Sequence, residues 1–392
     1  MTTIILADSN EAVCGALLSS LQSVRPDWHI VSHSSGIDVL QHLSTENACC
    51  ILTEVDLRDM SGFELLSKLQ ANYPDIIRIT LSGEIDPEVL RENSRVHHRF
   101  INRAVSQDIL VSSVESSLRL QETLGTESLK NCMSNVGSLP SLPEIYQQMV
   151  SELTSPQSSL LNVARIIETD SALTATVLKI VNSAFYGLNQ SVESVSQGVS
   201  LLGVHLIKNV TLTAKVFAQF EGGAIELQKL RQLNDNANRI GALTNQMARI
   251  ARVPRTVVDY SQIAGMLSNI GELITLSSKA DIAKQTSEIT PDLLGAYLLK
   301  QWLLPEQVVE AVALQQESPP RSALEITPLI ILHAIRHLET HYVDMKNASQ
   351  HAYSQDYLEK MVPAETASRW IEVFCDVQAL TAHTDIDQSH VA

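Results

Sequence analysis

The spacing of apolar residues changes character at Leu124-Gly125-Thr126, and this change splits the chain into two separate folding problems. Before it, short apolar runs alternate with helix-spaced segments. Strands are expected over 4–7, 29–32, 49–55, 76–81 and 100–101, with helices over 12–21, 37–43, 62–69 and 108–120. Strands alternating with helices at this spacing predict an α/β unit with a five-stranded parallel sheet. In such sheets the functional side chains gather at the carboxyl ends of the strands. After the break, helical patterns dominate, over 142–153, 160–168, 173–181, 195–202, 240–250, 257–267, 293–303 and 306–314. That half reads as all-α. Ser318-Pro319-Pro320 interrupts a further helix, and the polar end from Thr381 onward is expected to fray into a disordered tail.

Composition narrows the function classes. Apolar residues make up 44% and charged residues 18%, which is enough apolar material for two cores. The net charge of −16 argues against a nucleic-acid binder that relies on a broad basic face, and against an anionic membrane surface. No apolar stretch approaches the roughly 20 residues needed to cross a bilayer. The first residues show no basic stretch followed by a long apolar one, so no secretory leader is expected. Cys14, Cys49, Cys50, Cys132 and Cys375 form no C-x-x-C pair, which fits reduced thiols in a cytoplasm. Cys49 and Cys50 are expected in a strand. No P-loop, G-x-S-x-G or G-x-G-x-x-G motif occurs.

Several features of the first half come in a telling order. Asp8 ends the first strand and Glu54 the third. Asp59-Met60-Ser61-Gly62-Phe63-Glu64-Leu65-Leu66 follows, Ser82-Gly83 ends the fourth strand, and Arg103 follows the fifth. Residues 1–122 thereby resemble a flavodoxin-like response-regulator receiver. The resemblance implies a site where carboxylates hold Mg²⁺, an aspartate accepts a phosphoryl group, and a hydroxyl and a lysine close on it. This sequence departs from that pattern. Glu54 stands at the phosphoacceptor position, and one more methylene moves its carboxylate by about 1.5 Å. Ser9 replaces the second acid after the first strand, Arg103 the lysine, Ala104 the proline after it, and Arg58 a proline of the following loop. Mg²⁺ needs several hard oxygen ligands in tight geometry, so neither metal binding nor phosphorylation at Glu54 is expected. Two arrangements are open for Glu54 and Arg103. They pair and mimic a phosphorylated or permanently set state, or they have drifted and are solvated. Exposed ion pairs contribute only about 0–1 kcal/mol, which tips the expectation to solvation.

The second half carries longer motifs. They are Leu139-Pro140-Ser141-Leu142-Pro143-Glu144, Ala164-Arg165-Ile166-Ile167-Glu168-Thr169-Asp170, and Leu178-Lys179-Ile180-Val181-Asn182-Ser183-Ala184-Phe185-Tyr186-Gly187. Leu201-Leu202-Gly203, Ala264-Gly265-Met266-Leu267 and Gln301-Trp302-Leu303-Leu304-Pro305 follow. These segments resemble the HDOD domain, a helical relative of HD phosphohydrolases, over 139–335. Residues 123–138 then read as a partly helical linker and 336–392 as a helical extension. Asn182 and Ser183 are expected to serve free helix-end groups, Gly187 to take a left-handed cap, and Phe185 and Tyr186 to build core. The resemblance implies a metal centre built from a histidine, a His-Asp pair and further ligands. Here those positions read Asn236, Ser268, Asn269 and the pair Gln315-Gln316, all neutral. No HD-type metal centre and no cofactor are expected.

His333, His337 and His341 recur every four residues beside Glu339 and Asp344, and read as a polar helix face rather than a Zn²⁺ site. His97-His98 reads as a loop pair, and His205 as a local hydrogen-bonding group. The expected function is a non-enzymatic bacterial signal-transduction regulator, a pseudo-receiver coupled to a protein-binding HDOD domain. The partners that the resemblance implies are other signalling proteins, such as sensor kinases or cyclic-di-nucleotide enzymes. It also suggests a homodimer through the receiver region that includes 95–103. The alternatives are a residual metal-dependent phosphohydrolase and a small-nucleotide-binding regulator without turnover.

Overall fold

In a computed structural model, the chain divides into two units, Met1–Gly125 and Thr126–Ala392. The structure describes residues 2–83, 89, 93, 96–136, 139–155, 157–186, 188, 191–221, 225–277, 289–319, 325–342 and 348–389.

The first unit has strands β1 (Thr2–Ala7), β2 (Trp28–His33), β3 (Cys50–Thr53), β4 (Ile77–Ser82) and β5 (Arg99–Asn102). They form one parallel sheet in the order β2-β1-β3-β4-β5, a flavodoxin-like arrangement. Its helices are α1 (Glu11–Val24), α2 (Gly36–Thr45), α3 (Gly62–Asn72) and α4 (Gln107–Leu124). Successive residues of a strand face opposite sides. Ile4 and Leu6 therefore pack with Leu52, Ile79, Leu110 and Val114, while Ile5 packs on the other face with Ile51, Val39, Leu65 and Leu69. Strands covered on both faces read as continuous apolar runs, as these do. Cys49 lies outside β3 and is exposed, because pairing with β1 begins at Ile4 and Cys50.

The strand order reverses between β1 and β3, and that is where a parallel sheet opens a crevice at its carboxyl edge. Ala7 pairs with Thr53 there, so Asp8 and Glu54 leave the sheet side by side. Asn10, Ser35, Ser61 and Ser106 accept backbone N–H groups at the starts of α1, α2, α3 and α4. Gly62 lies so close to the Glu54 carbonyl that a Cβ would collide with it.

The second unit is helical. It runs through α5 (Glu127–Asn135), α6 (Glu144–Thr154), α7 (Leu160–Glu168), α8 (Ser171–Val181), a 3₁₀ turn (Ala184–Tyr186), α9 (Val195–Leu202) and α10 (Val204–Ala218). Then come α11 (Leu227–Ile250), α12 (Arg255–Leu267), α13 (Ile270–Ser277), α14 (Pro291–Gln301), α15 (Glu306–Ala313), α16 (Pro328–His341), α17 (Ala348–Leu358) and α18 (Ala364–Ser389). Helices α11 and α12 pack closely where Gly241 lies against Met266 and Gly265 against Thr244, and Ala237, Leu243, Ala264 and Met266 are buried. Helix α11 starts well before residue 240, because Leu230 and Leu233 bury a thin stripe within a polar stretch. The span read as linker contains α5, whose Leu129, Cys132 and Met133 are buried. Helix α18 runs on to Ser389. Buried Trp370, Ile371 and Phe374 anchor α18, and no Gly or Pro interrupts it. Gly203 takes φ +90°, a left-handed conformation open to glycine at little cost, and so turns α9 directly into α10.

Candidate functional site

At the carboxyl edge of the sheet, Arg103 reaches across to both carboxylates. Its Nη2 lies 2.6 Å from Asp8 Oδ2 and also donates to Glu54 Oε2. The Ser82 hydroxyl donates to Glu54 Oε1, which also accepts Val55 N–H at 2.7 Å. Asp8 Oδ1 accepts Asn10 N–H at 2.8 Å. Asp8 is 5% exposed, and the side chains of Glu54 and Arg103 are 13% and 29% exposed. The expectation that Glu54 and Arg103 are solvated is therefore corrected: they pair in a half-buried cleft. The reason is Asp8. A second carboxylate beside Glu54 makes a guanidinium fork the natural bridge. Ser9 brings no charge, and its carbonyl receives only a 3.4 Å contact from Arg58. Asp59 instead caps α2, taking the N–H groups of Gly36 and Ile37 at 2.7 and 2.9 Å.

A second arginine organises the helical unit. Arg336, on α16, donates Nε–H to Gln315 Oε1 at 2.8 Å and Nη1–H to Glu339 Oε2 at 2.7 Å. Its Nη2 donates to Ser268 Oγ at 3.0 Å and to Asn269 Oδ1 at 2.8 Å. Three of the neutral residues singled out by sequence thus converge on one guanidinium. Asn236 joins at one remove, since Arg239 donates to Asn236 Oδ1 at 2.5 Å and pairs with Glu339. Gln315, fully buried, also donates to Asp292 Oδ1 at 2.7 Å and to the Ser268 carbonyl at 3.1 Å. Gln316 is exposed and takes no part, because the turn after α15 points only its neighbour inward.

The residues do not fit a metal. Ser268, Asn269 and Gln315 are neutral, and each has an oxygen turned to Arg336. Among the described residues no cluster of three or more His, Cys, Asp or Glu suits a metal ion.

His333 is buried rather than part of a polar face. Its Nδ1 lies 3.0 Å from the Gln315 carbonyl and its Nε2 2.8 Å from the Tyr357 hydroxyl. His337 stacks on the Tyr357 ring with centroids 3.9 Å apart, and burial with neighbouring His341 and His333 takes its pKa down to about 4. Helix α17 brings these aromatic rings against α16, which the spacing of histidines alone did not reveal. Asp344 and Gly187 lie outside the described residues, as does Arg95 of the suggested pairing face. His97 and His98 form a half-buried loop pair just before β5. His98 Nδ1 accepts Arg78 N–H at 2.9 Å, and burial beside Arg78 takes the His97 pKa down to about 4. Asn182 pins the loop before α9, donating to the Val192 carbonyl at 2.9 Å and accepting its N–H at 2.7 Å, instead of serving its own helix end. The Phe185 carbonyl accepts from Gln246 at 3.1 Å. The Tyr186 hydroxyl is buried beside the Gln262 side chain, and the Ser183 hydroxyl is buried with no hydrogen-bond partner among the described residues.

Asp292 supplies a prediction. Burial raises its pKa to about 6, with Glu272 adding to the rise while Arg336 and the Gln315 hydrogen bond oppose it. Its folded-state pKa exceeds the unfolded value near 4. Its protonated form therefore favours folding, and stability falls as pH rises from about 4 through about 6. Asp292→Asn is expected to stabilise the helical unit by about 1–2 kcal/mol above pH 7 and by much less near pH 4. Urea melts across this range check it, and a gain independent of pH would count against the assignment.

Residues 139–290 match the HDOD domain family. An uncharacterised protein of Treponema pallidum is 23% identical over 261 residues, covering 62% of this chain and 49% of its own. Uncharacterised protein YuxH of Bacillus subtilis is 36% identical over 63 residues, covering 16% of this chain and 15% of its own. The chain thus spans half or less of the length of these two relatives. Among solved structures, an HDOD domain protein of Geobacter sulfurreducens is 18% identical, covering 67% of this chain and 99% of its own, with TM-score 0.48. The signal receiver domain of an HD domain-containing protein from Pseudomonas fluorescens is 23% identical, covering 31% of this chain and 90% of its own, with TM-score 0.29.

Proposed function

Starting from a receiver-fold domain joined to an HDOD domain, we propose that this chain is a signal-transduction regulator that works by binding other proteins rather than by catalysis. The observation that carries this reading is the pair of arginines. Arg103 bridges Asp8 and Glu54, and Arg336 gathers Ser268, Asn269, Gln315 and Glu339. A fixed guanidinium neutralises a cluster much as an ion does, but it has no open coordination position and lowers no water pKa. The Ser82 and Arg103 side chains close on the Glu54 carboxylate, which stands where a phosphoryl oxygen would be held. The receiver is read here as permanently set, and the helical unit as the surface offered to other signalling proteins.

Two measurements test this. The chain is incubated with a small-molecule phosphodonor, with and without Mg²⁺, and its mass is followed. No phosphoryl addition to residues 1–125 is expected in either case, and labelling at Glu54 would overturn the reading. The purified chain is also expected to carry Fe, Mn and Zn far below one per molecule. A stoichiometric metal removed by Ser268→Ala and Asn269→Ala would favour the residual phosphohydrolase.

A further inference from the structure

Helix α17 meets α16 through rings. Of its described side chains only Ser354 and Leu358 are fully buried. Around them Tyr353 and Tyr357 of α17 lie against His333, His337 and His341 of α16. His333 Nδ1 lies 3.0 Å from the Gln315 carbonyl, which can only accept, so the imidazole proton sits on Nδ1. His333 Nε2 is then an acceptor and takes the Tyr357 O–H at 2.8 Å. The Tyr357 oxygen in turn accepts from Ser318 Oγ at 3.0 Å. Every proton of this chain is placed with His333 neutral. A proton added at Nε2 removes the acceptor that Tyr357 uses.

One turn on, His337 lies flat against the Tyr357 ring, with the two planes 8° apart. The His341 ring stands 4.6 Å away and the Tyr353 ring 6.0 Å. His337 Nε2 is buried with no hydrogen-bond partner among the described residues. The charges that act on it are those of His341 and His333, both positive when protonated. From α17 it faces two phenols and no carboxylate among the described residues. Arg336 and Glu339, beside it on α16, are joined to one another and to the Ser268 cluster. No charged group of α11, α12, α15 or α18, among the described residues, acts on it. A tyrosine face attracts a cation. Burial and two like charges outweigh that attraction, and the His337 pKa falls from the ordinary 6.5 to about 4. Burial lowers His333 as well.

We propose that the His337–Tyr357 stack and the His333–Tyr357 hydrogen bond form an acid-released latch, which keeps α17 on α16 while these histidines are neutral. The latch is tied to the Arg336 cluster through Gln315, whose carbonyl meets His333 and whose side chain meets Arg336. The docked form favours neutral His337, so docking is fully present above about pH 6.5 and is lost as pH falls toward about 4. The proposal is separate from the regulator reading: it concerns how the helical unit responds to acid, not what it binds.

The test is hydrogen exchange of the full chain, read by mass spectrometry on peptides of α17 and α12 and corrected for the intrinsic pH dependence of exchange. Between about pH 7.5 and about pH 5.5, α17 is expected to lose protection about tenfold while α12 keeps its own. Tenfold is the ratio given at the lower pH by a histidine moved from 6.5 to about 4. His337→Phe keeps a flat ring on Tyr357 but cannot take a proton, and it should remove most of the loss. A loss that survives in full in His337→Phe overturns the latch. So does unchanged protection of α17 in the unaltered chain, or an equal loss in α12. If His337→Phe fails to fold by circular dichroism, His337→Gln, uncharged at both pH values, is read in its place, and the comparison of α17 with α12 in the unaltered chain still decides.

Discussion

Arg336→Met should lower the unfolding free energy of the helical unit by about 3–5 kcal/mol, the range seen when one partner of a buried ionic group is removed. Its side chain is only 13% exposed. Removing the guanidinium leaves Ser268 Oγ, Asn269 Oδ1 and Gln315 Oε1 facing an apolar side chain, and leaves Glu339 to Arg239 alone. Arg336→Lys should recover only part of the loss, because an ammonium cannot reach in three directions as a planar fork does. The measurement is a urea melt read by tryptophan fluorescence in a Trp28→Phe background. Trp302 and Trp370, both buried in the helical unit, then report alone. A midpoint shift worth less than about 1 kcal/mol would mean that the cluster finds other partners.

Gly271→Ala should be nearly as damaging, by about 3 kcal/mol or more, although it adds a single methyl group. At Gly271 helix α13 meets the first turns of α14 backbone to backbone. A Cβ there would collide with the carbonyl of Pro291 and lie 2.9 Å from the Gly295 nitrogen. Backbone cannot swing aside as a side chain does, so the two helices must part. The same movement would pull Asp292 from Gln315 and loosen the residues held by Arg336. Gly15→Ala provides the opposite sign: nothing lies within 4 Å of its Cβ position, and it is inside a helix, so a gain of about 0.5–1 kcal/mol is expected. The two variants are compared by thermal melting, and an equal response would remove close approach as the cause.

Much of the architecture was legible because it rests on periodicity. Ile4 to Ala7 and Ile77 to Ser82 are buried on both faces, and such strands announce themselves as unbroken apolar runs. The neutral residues at 236, 268, 269 and 315 were legible too, from motif positions. What filled the space between them was not. Arg336 lies 67 residues beyond Asn269 and belongs to no motif. Its role appears only when α16 packs against α12. A signal was present all the same: His333, Arg336 and Glu339 interrupt an apolar helix at spacings of three, too polar for a core stripe unless they serve one another. The pairing of Glu54 with Arg103 was misjudged because exposure cannot be read from residue type. Once Asp8 and Glu54 leave adjacent strands together, a shared cation is the inexpensive arrangement.

The contact between Glu54, Ser82 and Arg103 is made of side chains written into the gene, not of a group added after synthesis. It therefore has no half-life. A phosphorylated carboxylate reports that an event happened recently and forgets it by hydrolysis, whereas this one keeps no time. On the proposed reading of a permanently set receiver, whatever influence the sheet unit exerts rises and falls with the number of copies present, or with the company they keep.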